Sequence, residues 1–242
     1  MFRVALKMLT GDRVKYIGLV LGTGFTAFLV TFAACYMCGI LTSGFALIAD
    51  NPAADVWVMD PAVASVEPAI NLPGSALARV RSVEGVADAM PLATANTEAR
   101  LPNGAFVPVE IIAVDDSTLS GVPVAAAGES ALDLRADMTV FVDAGGTKGK
   151  LLAPINGYEH WPHDGAHLDV PSRDLAVGDE VAINDHLLRV AGVTHALPRF
   201  PPRPLFYRTY SNALHVLPAE RTRTTFIMAN DWRCSSGEIF LS

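Results

Sequence analysis

A long uncharged apolar run near the N-terminus constrains this chain more than any other feature. No charged residue occurs in the 34 positions between Lys15 and Asp50, where Ile, Leu, Val, Phe, Ala and Gly dominate. A helix needs about 20 apolar residues to cross the ~30 Å hydrocarbon core of a bilayer. The run therefore predicts a transmembrane helix, which we place at residues 16–43.

The charges on the two sides of this run predict its orientation. Four bases and one acid precede it, whereas the chain from Asp50 onward carries 24 acids and 14 bases. Because short basic flanks stay on the cytoplasmic side of a membrane, we expect residues 1–15 inside and the acidic remainder outside. Apolar residues at positions 2, 6 and 9 alternate with bases at positions 3 and 7, which predicts a cytoplasmic amphipathic segment. A frayed tail is the alternative for residues 1–15.

Two removable signals are the alternatives to a permanent anchor. A secretory signal has an apolar core of ~7–15 residues, shorter than this run. The tetrapeptide Phe-Ala-Ala-Cys at 32–35 loosely matches a lipoprotein signal, but the apolar run continues for ten positions after that cysteine. A permanent span fits the length of the run better than either signal.

Small residues recur at every fourth position of the predicted helix, at Gly18, Gly22 and Thr26. Such spacing lets a second helix approach closely in lipid, so these three residues are our candidates for helix packing. They predict a homodimer or a pairing with another membrane chain. The alternative is that glycine is simply common in membrane helices.

Composition excludes several classes of function for the remaining ~190 residues, a length that suits one ordinary domain or two small ones. A net charge of −7 and a pI near 5.3, with no basic stripe, argue against a nucleic-acid partner. Of the three cysteines, two lie within the apolar run, so a disulfide framework is not expected.

Alternating apolar residues and turn signals predict a sheet-dominated α+β domain over residues 44–229. Asn-Gly at 103–104 and Asn-Asp at 184–185 predict two hairpin turns. We expect Trp57 and Phe106 in the core and a long loop over residues 145–174. The predicted strands are 55–60, 86–92, 94–101, 106–114, 139–142, 180–184, 186–194, 205–209 and 224–229, and the predicted helices are 73–83 and 211–217.

No motif with catalytic spacing is present, so we assign no catalytic, cofactor-binding or metal-binding residue and expect no enzyme activity. Residues 145–150 superficially suggest a phosphate loop, but Leu151 stands where a Ser or Thr should bind Mg²⁺. The pair Asp115-Asp116 is expected to cap a short helix. Metal binding remains an alternative for one cluster of histidines and acids, although the spacing of the cluster fits no helix face. With a bound metal the chain would be a membrane-anchored metallohydrolase. That cluster is His160, His163 and His167 with Asp164 and Asp169.

Six segments occur in a characteristic order along nearly the whole chain. They are residues 1–9 (MFRVALKML), 54–61 (ADVWVMDP), 77–91 (LARVRSVEGVADAMP), 112–116 (IAVDD), 175–179 (LAVGD) and 190–193 (VAGV). Their order and spacing resemble the permease subunits of the MacB-type, FtsX-like ABC transporter family, especially the DevC-like members.

The resemblance implies a subunit of an ATP-driven export system in the bacterial inner membrane. It implies one transmembrane helix followed by a periplasmic domain of MacB type. The expected partners are an ABC ATPase subunit, whose movement is passed to that domain, a periplasmic adaptor protein and the lipid bilayer.

The chain departs from the family pattern after residue 229. The three later membrane helices are missing, and residues 230–242 form an atypical tail. We therefore expect a truncated permease that does not transport by itself. The alternative is a single-span envelope adaptor whose acidic domain binds partners and has no role in transport.

Overall fold

A computed structural model describes residues 4, 11–51, 54–63, 70–123, 130–144, 149–197, 199, 202–217 and 224–231. Two compact units make up the chain, Met1–Gly44 and Phe45–Ser242. The predicted amphipathic segment 1–15 lies mostly outside the described residues, as does the predicted tail from residue 232 onward.

The first unit contains helix α1, Arg13–Gly44, which is 32 residues long. At 1.5 Å per residue it measures about 48 Å. None of its residues is buried, and it is the one helix among the described residues that is long and apolar enough to cross a membrane. It begins three residues before the predicted span because the Asp12 carboxylate accepts a hydrogen bond from the Lys15 N–H (3.3 Å) and caps the first turn.

The second unit is built on one eight-stranded mixed sheet with the strand order β1-β10-β2-β3-β9-β4-β8-β7, and β5 pairs with β6 in a separate small sheet. The strands are β1 Val56–Val58, β2 Val86–Arg100, β3 Phe106–Val114, β4 Thr139–Asp143, β5 Leu152–Pro154, β6 Ser172–Asp174, β7 Glu180–Ile183, β8 His186–Thr194, β9 Leu205–Thr209 and β10 Phe226–Asp231. The short helices are α2 Ala46–Ala49, α3 Ala76–Arg81 and α4 Tyr210–Val216, with a 3-10 helix at Ala131–Arg135.

Six strands of the large sheet close into a ring. The end of β2 pairs with β7 through Ala99 and Ile183, which joins the two ends of the series β2-β3-β9-β4-β8-β7. Side chains of alternate strand positions, among them Val109, Val140 and Phe206, form the largest hydrophobic cluster on one face of these strands. The α+β, sheet-dominated class predicted from the sequence is confirmed.

Local turn chemistry is where prediction and structure agree most closely. Asn184 and Asp185 both have positive φ (46° and 64°) between β7 and β8, as a type I′ hairpin turn requires. Gly104, with φ +85°, occupies the turn between β2 and β3.

Four details of the prediction are wrong. The predicted strands 86–92 and 94–101 are one continuous β2, which pairs with β10 up to Leu92 and with β3 from Ala93. The predicted loop 145–174 contains β5 and β6. Phe106 is 67% exposed because it starts β3 on a face that no element covers at that point. The predicted tail begins too early, since residues 230 and 231 still belong to β10.

Candidate functional site: the apolar helix and the junction segment

The predicted packing residues of α1 lie on an open helix surface. A Cβ placed on Gly18 or Gly22 would meet nothing within 4 Å. The Thr26 hydroxyl donates a hydrogen bond to the Gly22 carbonyl (2.9 Å), so it needs no partner from outside the helix. A shallow groove contains two of the three predicted residues, and its lining is Gly22, Thr23, Thr26, Ala27, Val30 and Thr31.

An aromatic ladder, which the sequence analysis did not single out, occupies another side of α1. The rings of Phe28 and Phe32 are stacked with centroids 6.1 Å apart, and those of Phe32 and Tyr36 are 6.4 Å apart. At about 100° per residue, the ladder lies on the side of the helix opposite the groove. The helix thus presents one narrow face of small and hydroxylated residues and one bulky aromatic face.

Residues 45–51, which we call the junction segment, connect α1 to the sheet. Only Phe45 separates the end of α1 from the start of α2. Within the second unit, Ala46 and Leu47 are 1% and 3% exposed. Leu47 belongs to the hydrophobic cluster of Leu92, Phe141 and other side chains on the second face of the sheet. Ala46 and Leu47 of the junction segment are therefore part of the domain core, whereas Phe45 and Ile48 are exposed.

Polar contacts tie the same segment to distant parts of the domain. The buried Asn51 amide donates to the Leu47 carbonyl (2.7 Å), which closes the end of α2. The Asp50 carboxylate accepts from the Leu197 N–H at 3.2 and 3.3 Å. The contact between Asp50 and Leu197 bridges 147 positions of sequence.

Asp50 belongs to a largely buried group of charges that we call the acid–arginine cluster: Asp50, Glu110, Asp143 and Arg199. The Arg199 guanidinium lies 3.9 Å from both the Asp50 and the Glu110 carboxylates. The side chains of Arg199 and Asp50 are each 9% exposed. Asp143 accepts from the Ala196 N–H (2.7 Å). One guanidinium thus faces two carboxylates, and the charge of Asp143 acts on Asp50.

Burial sets the electrostatics of this cluster. It raises the pKa of the Asp50 carboxyl, against the opposing effects of the Leu197 hydrogen bond and the Arg199 charge, and the Asp143 charge raises it further. Burial likewise raises the pKa of Tyr207, whose hydroxyl is buried and has no hydrogen-bond partner among the described residues. Asp50 is therefore protonated more readily in this site than an aspartate in water would be.

A second buried charge, on β9, also escaped the sequence analysis. Arg208 is fully buried, and its guanidinium nitrogens have no hydrogen-bond partner among the described residues. Burial lowers its pKa to about 10, and the charge of Asp137 acts in the opposite direction. Nothing in the local sequence Phe-Tyr-Arg-Thr distinguishes this arginine from an exposed one, because its burial follows from the long-range pairing of β9 with β3 and β4.

The histidine cluster predicted as a metal alternative does not converge on one point. His167 pairs with Asp164 (2.9 Å), and His160 contacts the Tyr158 carbonyl (3.0 Å). The described part of the chain holds no group of three ligating side chains that could bind a metal ion.

The segment that carries these histidines instead covers the β2–β3 turn. The Trp161 N–H donates to the Pro102 carbonyl (2.7 Å), and the His167 N–H donates to the Asn103 carbonyl (2.9 Å). Arg100 donates to the Pro162 carbonyl (2.7 Å). These hydrogen bonds, two between backbones and one from the Arg100 side chain, make the segment a structural cover for the turn.

The predicted capping pair Asp115-Asp116 acts differently from expectation. No helix follows it directly; Asp115 accepts from the Ser117 and Thr118 N–H groups in a turn. Asp116 accepts from the Ser211 N–H (3.1 Å) and hydroxyl (2.7 Å), and so caps the first turn of α4. Its helix lies 95 positions further along the chain, which local sequence cannot indicate.

The comparisons with known proteins show a similarity of fold only. No family model and no curated protein sequence matches the chain. Similar solved structures include the periplasmic region of MacB from Actinobacillus actinomycetemcomitans (TM-score 0.42, 12% identity, 69% of this chain and 70% of that chain). Another is the extracellular domain of the noncanonic ABC-type transporter YknZ from Gram-positive bacteria (0.42, 11%, 73% and 82%).

A domain of a protein described as a permease from Porphyromonas gingivalis is similar to the same degree (0.40, 15%, 66% and 68%). These proteins are of the kind that the six sequence segments lead us to expect. Identities and TM-scores this low carry no argument about activity.

Proposed function

We propose that the chain is a membrane-anchored permease subunit of a MacB-type, FtsX-like ABC export system. In this proposal α1 spans the bacterial inner membrane with its N-terminus in the cytoplasm, and the sheet domain lies in the periplasm. The observation that carries the proposal is the junction segment. An apolar helix without a buried residue continues through the single residue Phe45 into a segment whose Leu47 lies in the domain core.

The junction segment suits the transmission of movement. A flexible linker would absorb a displacement of the end of α1, whereas a segment with buried side chains moves with its core or has to break its packing. Leu47, the Asn51 amide and the Asp50 carboxylate each tie the segment to the domain. An ABC ATPase subunit would supply the movement, and a periplasmic adaptor protein would receive it.

We also propose that the face of α1 with Gly18, Gly22 and Thr26 packs against a second membrane helix, either of another copy or of another permease chain. A large side chain at Gly22 would fill the groove and hold the partner helix away. Gly24 offers a matched control, since it too has open space around it and lies about 200° away on the helix. Gly22→Ile should reduce helix association in a membrane two-hybrid assay, and Gly24→Ile should not. Equal association of both variants with the wild type would refute this packing face.

Co-purification tests the permease proposal. The full chain is extracted from native membranes in a mild detergent, with an unrelated single-span protein of the same membrane as the control. We expect an ATP-binding subunit to co-purify with the chain and not with the control. Recovery of periplasmic or outer-membrane partners without any ATP-binding protein would contradict the proposal and favour the envelope adaptor.

A further inference from the structure

The outer face of the ring is covered near the junction segment and open further along the strands. Phe106 and Ile112 lie on the same side of β3, because side chains alternate along a strand and both stand at even positions. Ile112 is fully buried in the hydrophobic cluster that contains Leu47 of the junction segment. Phe106, in contrast, is 67% exposed. The face that forms core beside the junction segment is therefore open to water at the start of β3.

The strand register extends this open face across four neighbouring strands. Phe106 pairs with Arg100 between β3 and β2, and Arg100 pairs with Ala182 between β2 and β7. Ala182 in turn pairs with Leu187 of β8, which is 47% exposed. Paired residues point to the same side of a sheet, so these side chains form a row about 14 Å long. We call these four residues the outer row, and each of its ends is a large apolar side chain that water reaches.

The centre of the outer row is fixed by the segment that carries the histidines. The Arg100 guanidinium donates to the Pro162 carbonyl (2.7 Å), and its carbon lies 5.9 Å from the centroid of the Trp161 ring. Arg100 is therefore committed to contacts within the domain, and it places an aromatic ring beside the row. A surface held in this way loses little conformational freedom when a second molecule binds to it.

The charges around the outer row are mainly acidic. Glu98 is exposed on the same side of β2 as the row, and Asp185 is exposed in the turn beside its other end. The exposed charges of Glu180 and Arg189 are opposite each other in the register of β7 and β8, so they offset one another. The chain from Asp50 onward is itself acidic, with 24 acids and 14 bases. Such a surface attracts and orients a molecule that carries basic side chains.

We propose that the outer row is the docking surface for a partner protein that presents apolar side chains flanked by lysine or arginine. The apolar side chains would cover Phe106 and Leu187, and the basic ones would lie beside Glu98 and Asp185. Large exposed apolar side chains with a polar border are typical of protein–protein interaction sites. A second copy of this chain fits the surface less well, because it would bring the same acidic residues against one another.

The docking surface goes beyond the proposed function and can be tested independently of it. It concerns one face of the sheet domain and needs neither an ATPase nor a second membrane helix. A permease subunit and an envelope adaptor would use it equally well. Failure to co-purify an ATP-binding subunit would leave the docking surface intact, and a failed cross-link at the outer row would leave the permease proposal intact.

Site-specific photo-cross-linking of the full chain in its native host tests the docking surface. A photoreactive phenylalanine derivative replaces Leu187 or, as the control, Val83. Val83 is 57% exposed and precedes the start of β2, whereas the outer row crosses β2 at its last residue. We expect position 187 to form an adduct with another protein at least ~10-fold more strongly than position 83. An adduct with a second copy of the chain, or no adduct above the control, would overturn the proposal.

Two measurements on the adduct test its charge complementarity. Mass spectrometry should find apolar residues and more lysine and arginine than acid in the partner segment joined to position 187, and an acidic segment would overturn the proposal. Glu98→Lys should lower the yield of the adduct at least ~3-fold, because it places a base beside the basic side chains of the partner. Glu84→Lys is the matched control, since Glu84 is exposed beside Val83 and outside the outer row. Equal yields from the two variants would contradict the proposed chemistry of the partner.

Phe106→Ser tests the apolar contribution of the row. It should lower the yield from position 187 at least ~10-fold, whereas Val83→Ser should leave the yield unchanged. The amount of chain in the membrane should stay the same in both variants, because both side chains are exposed. The reverse arrangement, with the photoreactive residue at position 106 and Leu187→Ser, decides the question if Phe106→Ser does not fold. An unchanged yield in a folded variant would overturn the docking surface.

Discussion

Replacement of Gly104 by alanine tests how the histidine-bearing segment packs on the β2–β3 turn. A Cβ at this position would lie 2.8 Å from the Gly165 carbonyl oxygen and 2.9 Å from the Pro162 Cγ. Its φ of +85° adds a strain that any side chain would meet. The left-handed backbone costs about 1–2 kcal/mol, and the overpacking adds about 1–3 kcal/mol. We therefore expect Gly104→Ala to lower the free energy of unfolding by about 2–5 kcal/mol.

Gly149 provides a control that separates the two effects. Its φ is +78°, close to that of Gly104, and a Cβ there would meet nothing within 4 Å. Gly149→Ala should therefore cost only the backbone strain of about 1–2 kcal/mol. Urea unfolding of the full chain in detergent, followed by tryptophan fluorescence, measures both variants. Equal losses in the two variants would refute the packing of this segment against the turn.

Five further substitutions, one of them a control, test the core, the buried charge, the acid response and the exposed strand end. Leu47→Ala should lower the free energy of unfolding by about 2–4 kcal/mol, whereas the 39% exposed neighbour Ile48→Ala should cost less than about 1 kcal/mol in the same urea assay. Arg208→Met should raise the melting temperature, because it removes a buried charge that has no hydrogen-bond partner among the described residues, and the gain should be about 1–3 kcal/mol. A lower melting temperature would show that the charge is satisfied. Burial alone would raise the pKa of Asp179, but hydrogen bonds from a guanidinium and a backbone N–H lower this pKa overall. The ionised Asp179 carboxylate therefore stabilises the fold above its unfolded pKa of about 4, and this stabilisation is lost as pH falls. A melting series in acid should accordingly be flatter for Asp179→Asn than for the wild type. Phe106→Ser should change the free energy of unfolding by less than about 0.5 kcal/mol, and a loss typical of a core phenylalanine would show that this exposed ring is covered.

The parts of the fold that depend on local conformation could be predicted from the sequence. Asn103-Gly104 and Asn184-Asp185 mark their turns because few residues adopt positive φ without strain. The apolar run predicted α1 because length and lack of charge suffice for such a helix. The predicted span starts at residue 16, three residues after the observed start of α1 at Arg13, where Asp12 caps the first turn.

The parts that depend on distant pairing could not be predicted. The closure of the ring through Ala99 and Ile183, and the change of partner within β2 at Leu92, depend on which strands meet, and alternation along one strand does not encode that. The exposure of Phe106 follows from the same topology. Single-strand periodicity identifies an apolar side chain but not whether another element covers it.

The same distinction between local and distant signals applies to the candidate site. Gly18, Gly22 and Thr26 were visible in the sequence because their spacing repeats within one helix. The acid–arginine cluster was not visible, since its members come from four segments that only the folded domain brings together. Acidic residues are common in this chain, and no local signal separates a buried Asp50 from an exposed one.

Membrane topology is the most direct test of the central claim that α1 anchors an outward-facing domain. Protease is added to intact spheroplasts that make the full chain with an epitope on its N-terminus. We predict that the sheet domain is digested while the N-terminal epitope and α1 remain as a protected fragment. A sheet domain that resists digestion until the spheroplasts are lysed would place it in the cytoplasm and contradict the account.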